Sequence, residues 1–280
     1  MPGQLLRDTP AEGVLRLRIS NPTKRGALDH PILDGIAEAL DTLDPSVRCV
    51  LVTGEAGVFS SGYDIGNIPA DRFNELAEPL VAHPFASAIE ALDRCDVPTV
   101  AALSGHTIGG GLEVAISCDL RVARSDIKLG MPPAKLGLVY SHTGLMRFLD
   151  AIGEPRTRDL FLRGKYIDAA RAETWGLVTE VVDLPEEAAD LADKDARKAA
   201  HAEALDAEGV AVAAEIAANA PLSTTGNKQV LRKILTAQRA LAPELEEELI
   251  QLRKDCFQSE DFLEGVHAFA ERRKPNWKGR

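Results

Sequence analysis

Few aromatic residues occur in this 280-residue chain, only 5% of the total, so any large core has to be built from aliphatic side chains. Cysteines are also scarce. Cys49, Cys95, Cys118 and Cys256 are widely spaced in a chain long enough to bury a core without covalent staples, which predicts reduced thiols. Cys49 and Cys118 sit in apolar runs and read as core. No zinc-ligand spacing appears, and the six histidines form no H-E-x-x-H pattern, so metal catalysis is not expected. Basic residues are outnumbered, 32 against 43 acidic, for a formal charge of −11. That balance speaks against wholesale binding of nucleic acid or an anionic membrane. No apolar run is long enough to span a bilayer without Gly, His or a charge, and the start lacks a basic-then-apolar signal pattern. A cytoplasmic location is therefore expected.

What the chain does contain is glycine in informative places. Gly105-His106-Thr107-Ile108-Gly109-Gly110-Gly111-Leu112-Glu113 follows the apolar run Val97–Leu103. A strand that ends in glycines and restarts as a helix brings bare backbone N–H groups to a ligand, because no Cβ blocks the approach and the helix N-terminus favours negative charge. Glu113 would fall in the first helical turn, as a catalytic carboxylate or as an acid stabilised by the helix dipole. A second turn, Val58-Phe59-Ser60-Ser61-Gly62-Tyr63-Asp64-Ile65, follows the predicted strand 48–54. Two such turns can each supply one N–H to a single oxygen.

These paired turns resemble the F-S-x-G-x-D-[IL] and G-x-x-x-G-G-G-x-E motifs of the crotonase (enoyl-CoA hydratase/isomerase) superfamily. Other landmarks follow in the same order: Asn21-Pro22 and Ala27-Leu28, then Cys118-Asp119-Leu120, Leu136-Gly137-Leu138, Trp175-Gly176-Leu177-Val178, Ala220-Pro221 and Glu264–Phe269. The resemblance covers most of the chain.

Period-two alternation in Val14–Ile19 predicts a half-buried strand, and Asp29 is placed to cap a helix carrying Ile32, Leu33, Ile36, Leu40 and Leu43 at spacings of three and four. Strands and helices alternate to about residue 183, which indicates α/β architecture with crossover connections. From Pro185 onward Ala, Glu, Leu and Lys dominate. The resemblance implies a spiral of ββα turns over residues 1–185 holding an acyl-CoA site. It also implies a C-terminal helical region, residues 186–280, that drives assembly into a homotrimer or a dimer of trimers. The stretch Glu186–Gly209 is longer than the usual family connection and reads as a surface helix or a family-specific elaboration, without chemistry.

Family members hold a CoA thioester with its carbonyl oxygen between two backbone N–H groups, which match Tyr63 and Gly110. The first of two hydratase glutamates matches Glu113; the second matches Pro133, which can neither take nor give a proton. Tyr140 and His142 lie just beyond. Tyr140 stands where methylmalonyl-CoA decarboxylases of the superfamily carry a tyrosine, and Tyr63 occupies a turn position where those enzymes have a large polar residue. Tyr140 reads equally as a half-buried aromatic with its hydroxyl on a backbone carbonyl, and His142 as structural. A helix N-terminus would keep Glu113 ionised, a competent base. Asp64 and Asp119 read as structural acceptors near turns.

For coenzyme A, which belongs to the substrate rather than acting as a cofactor, the resemblance implies contacts at Lys24, Ser61, Asp64 and Ile65. Phe269 and Arg272 are expected to reach the nucleotide bound to a neighbouring subunit. Basic clusters at Arg16, Arg18, Lys24 and Arg25, and at Arg272, Arg273, Lys274, Lys278 and Arg280, are candidates for the polyanion. Three activities follow as expectations: hydratase/isomerase-like chemistry on acyl-CoA, decarboxylation of a malonyl-type CoA, or acyl-CoA binding with weakened catalysis.

Overall fold

The computed structural model describes residues 2–55, 57–64 and 83–280. Strand β1 (Gln4–Ala11) runs antiparallel to β2 (Val14–Ser20), and from there a sheet grows in parallel through β3 (Cys49–Gly54), β4 (Thr99–Leu103), β6 (Leu120–Arg124) and β9 (Glu180–Val182). A smaller sheet is made of β5 (Thr107–Ile108), β7 (Lys128–Gly130) and β8 (Tyr166–Asp168). The expected ββα winding is visible in this order: a large-sheet strand, a small-sheet strand, then a helix.

Both faces of the large sheet are buried, as parallel sheets require. Side chains alternate between them. Val50, Val52, Ala101 and Leu103 point into the larger core, with α1 (His30–Asp41), α2 (His83–Arg94), α3 (Gly110–Ser117) and α4 (His142–Arg163). Cys49, Leu51, Val100 and Ala102 point to the other side. Asp29 caps α1 as expected, its carboxylate accepting from the Ile32 N–H at 3.4 Å. Helix α4 breaks at Gly153, whose φ of 74° few other residues adopt.

The far face of the sheet corrects the reading of Glu186–Gly209. Helix α7 (Lys194–Ala218) is no surface appendage: Leu205, Ala213 and Ala217 close the second core against β3, β4 and β6. Its small residues permit close approach. A Cβ at Gly209 would stand 2.9 Å from the Ala102 Cβ. After β9 the described chain is helical, through α8 (Pro221–Arg239), α9 (Pro243–Phe257) and α10 (Glu260–Ala270). Cys256, at the end of α9, ties this region back to the core: its thiol donates to the Gly137 carbonyl at 2.9 Å and accepts from the Val139 N–H at 3.2 Å. Cys49 and Cys118 are core residues, and burial pushes both thiols up to about 12. Among the described residues no helix is long and apolar enough to cross a membrane.

Candidate active site

The two glycine-containing turns meet edge to edge. Ile108 N–H donates to the Ser60 carbonyl at 3.0 Å and Ser60 N–H to the His106 carbonyl at 3.4 Å, while Leu28 N–H holds the Gly62 carbonyl at 2.8 Å. Gly109, with φ 55° and ψ −125°, turns β5 into α3. Gly111 allows the contact itself, because a Cβ there would stand 2.5 Å from the Ser60 Cβ. Gly110 is the first residue of α3, where an amide has no acceptor within the helix. A Cβ on Gly110 would lie 3.4 Å from the Tyr63 nitrogen and one on Gly62 3.4 Å from the Gly110 nitrogen, so the two turns are in contact at these residues. Both residues line one cavity of about 1830 Å³. The Tyr63 side chain is engaged elsewhere: its hydroxyl and His30 Nε2 share a hydrogen bond of 3.0 Å. Burial, with Asp64, Asp29 and Asp34 nearby, pushes this phenol up to about 12.

Glu113 opens into the same cavity from the first turn of α3 and is 3% exposed. The Tyr140 hydroxyl donates to its Oε2. Arg147 Nη1 lies 3.5 Å from its Oε1, and the same guanidinium is paired with Asp93. Burial acts against the helix N-terminus here: Glu113 is held above the usual carboxylate range. Desolvation raises it, and the Tyr140 hydrogen bond with the Arg147 and Arg253 charges offsets that only in part. Tyr140 is raised well above an ordinary phenol by burial and by Glu113, so it stays the donor. The Tyr140 hydroxyl is thus on the Glu113 carboxylate and not on a backbone carbonyl, and its ring packs against Phe161 at 5.4 Å.

Pro133 lines the cavity from a 3₁₀ turn, Pro133–Leu136, and brings no ionisable group. His142 is absent from the lining and stands 3.7 Å from Glu246. Asp119 is structural as expected, accepting from Thr99 N–H at 2.7 Å and from Lys228 at 2.7 Å.

The expected coenzyme A contacts divide. Lys24, Ser61 and Asp64 lie together on the cavity rim, with Lys24 Nζ 2.5 Å from Asp64 Oδ2 and the Ser61 hydroxyl donating to the Lys24 carbonyl at 3.1 Å. Ile65 lies outside the described residues. Phe269 lines the cavity of its own chain, whereas Arg272 is not in the lining. The C-terminal basic cluster is largely taken up by ion pairs: Arg273 with Glu264 and Glu271, Lys278 and Arg280 with Glu260. Arg16 is likewise held by Asp8 and Asp206. The rim cations are Arg18, Lys24, Arg25, Lys128, Lys135 and Lys198.

Six of the lining cations had escaped sequence reasoning, Arg124 and Arg253 among them. Lys128 opens the short strand β7, Lys135 stands in the 3₁₀ turn Pro133–Leu136, and Lys198 lies on the helix that was read as surface. Arg147 alone left a signal, a cation between Met146 and Phe148 in an otherwise apolar stretch of α4.

Three comparisons bear on this geometry. A family model described as enoyl-CoA hydratase/isomerase matches residues 9–280. A probable enoyl-CoA hydratase of Mycobacterium leprae (strain TN) is 32% identical over 269 residues, 94% of this chain and 94% of that protein. The mitochondrial methylglutaconyl-CoA hydratase of Mus musculus is 29% identical over 270 residues, 95% of this chain and 80% of that one. Among solved structures, methylmalonyl-CoA decarboxylase in complex with 2-nitronate-propionyl-CoA is similar with a TM-score of 0.83, at 26% identity and 99% coverage of both chains.

Proposed function

The chain belongs to the enoyl-CoA hydratase/isomerase family, and from that premise we propose that it acts on acyl-CoA thioesters by stabilising a thioester enolate. The observation that supports this reading is the contact of the two turns at Tyr63 and Gly110, residues that line one cavity with Glu113; their backbone amides are the proposed pair of donors. Two N–H donors fixed in advance bind an oxyanion more tightly than a neutral carbonyl, so they act on the transition state. Losing one such donor costs roughly 10²–10³ in rate. Glu113 is the proton carrier. In hydration it takes a proton from water as the oxygen adds to Cβ, and a proton returns to Cα as the enolate collapses. Its raised proton affinity suits it to both halves of that exchange. Coenzyme A is part of the substrate, held at the rim by Lys24, Ser61 and Asp64, and no separate cofactor enters.

A second reading, decarboxylation of a malonyl-type CoA, is favoured by Pro133. With one glutamate instead of two, less negative charge opposes a substrate carboxylate. The C–C bond breaks, carbon dioxide leaves, and the same two amides receive the enolate. Loss of catalytic strength with acyl-CoA binding retained is the third outcome. We also propose a homotrimer or a dimer of trimers, supported by the exposed apolar residues Leu222, Val230, Leu231 and Ile234 on α8. Sedimentation reporting a monomer would remove that part.

Exchange of Cα protons of butyryl-CoA in heavy water, followed by mass spectrometry, tests the enolate directly. Enzyme-dependent deuterium uptake, lost in Glu113→Gln, is expected. A folded protein that binds the ester and exchanges nothing would leave only the binding reading.

A further inference from the structure

The charges around Glu113 leave one cation over. Asp93 is paired with Arg147, and Glu90 lies 3.8 Å from Arg94. Glu113 has Tyr140 and Arg147. Arg253, reaching the cavity from α9, has no hydrogen bond or ion pair among the described residues. Its guanidinium stacks over the Phe257 ring at 5.2 Å, and its Nε is buried without an acceptor. An N–H buried without an acceptor is costly, and the planar fork of this half-buried side chain matches a carboxylate in two parallel hydrogen bonds. It is close enough to Glu113 and Tyr140 to act electrostatically on both. The same cavity is lined by the apolar residues Phe85, Ile89 and Pro133, which suit methylene groups.

Resting on the acyl-CoA reading, we infer that Arg253 binds a carboxylate at the end of the acyl group, so that the substrate is a monothioester of a dicarboxylic acid. The phenylalanine beneath fixes the plane of the fork, and the Arg147–Asp93 pair leaves Arg253 as the cation that meets the ligand. Arg253 is thus a specificity residue supplied by the C-terminal helices. The carboxylate is the group that leaves in a malonyl-type substrate, or the group that is kept in a longer one.

The test is equilibrium binding of succinyl-CoA and butyryl-CoA to the full chain by calorimetry. The two esters have four-carbon acyl groups and differ in a terminal carboxylate against a methyl. Wild type is expected to prefer succinyl-CoA by roughly ten- to hundredfold, the range of a charge-assisted hydrogen bond. Arg253→Met and Arg253→Gln, each checked for a cooperative melt, bring the ratio of affinities close to one, and Arg253→Lys restores part of it. If Arg253 merely tuned Glu113, both esters would change together and the ratio would survive, which overturns the inference. A wild type that prefers butyryl-CoA overturns it too. Failure of wild type to bind either ester, or coenzyme A itself, sinks the acyl-CoA reading and this inference with it.

Discussion

Replacing Tyr140 by Phe removes one oxygen and leaves the ring against Phe161, so the variant isolates the hydrogen bond to Glu113. Hydrogen bonds to a charged group contribute about 1.5–3 kcal/mol. At roughly 2 °C per kcal/mol for a chain of this size, the melting temperature falls by about 3–6 °C where Glu113 is ionised. The pH dependence identifies the cause. Glu113 binds its proton more tightly folded than unfolded, so its contribution to stability is fully present below the ordinary carboxylate value of 4.5 and declines as pH rises through the folded value. Loss of the Tyr140 donor raises the folded value further. The gap between wild type and variant should therefore be small in acid, widen with pH and level off once Glu113 is ionised in both. Matched melts across that range measure it, and the acid limb of kcat/KM should move to higher pH in parallel. A gap that does not vary with pH, or an unshifted limb, would mean that the hydroxyl does not serve the carboxylate.

Three further changes probe the same site. Glu113→Gln keeps the shape and should reduce kcat by about 10²–10⁴ with a flatter stability profile against pH; steady-state kinetics showing full turnover would remove Glu113 from the chemistry. Gly111→Ala places a Cβ 2.5 Å from the Ser60 Cβ and 2.7 Å from its Oγ, which must part the two turns. A rate loss of roughly 10²–10³ is expected, that of one oxyanion donor, in a protein whose far-ultraviolet circular dichroism is unchanged; normal kinetics would show that the turns need not touch. Tyr63→Phe loses only the hydroxyl shared with His30, and kcat should stay within about threefold, since the donor is the backbone N–H. A collapse of kcat would assign the phenol a role in the reaction.

Local pattern carried much of the fold. Alternation in Val14–Ile19, the Asp29 cap and the two glycine turns follow from backbone geometry, which a sequence states residue by residue. Glu113 was legible for the same reason, since it closes a glycine turn. Its proton affinity was not, because desolvation comes from residues far along the chain. The pairing of Glu113 with Tyr140 and Arg147 likewise depends on α4 crossing α3. Helix α7 looked like a surface element because its buried face holds Gly209, Ala213 and Ala217 beside a single large aliphatic residue, Leu205, which leaves little hydrophobic contrast; the close approach of Gly209 to Ala102 gives the small residues meaning. Arg253 gave no sign in the charge-rich text of α9, where its one arginine looks as solvated as the glutamates around it. The basic C-terminus misled in the opposite sense, since Glu260, Glu264 and Glu271 neutralise much of it.

The central claim is that two backbone amides hold a thioester enolate beside Glu113, and it is tested most directly by incubating the pure protein separately with crotonyl-CoA and methylmalonyl-CoA and weighing the products. The account predicts gain of one water by the first or loss of carbon dioxide by the second, abolished in either case by Gly111→Ala. Neither ester altered by a folded protein that binds both would contradict it.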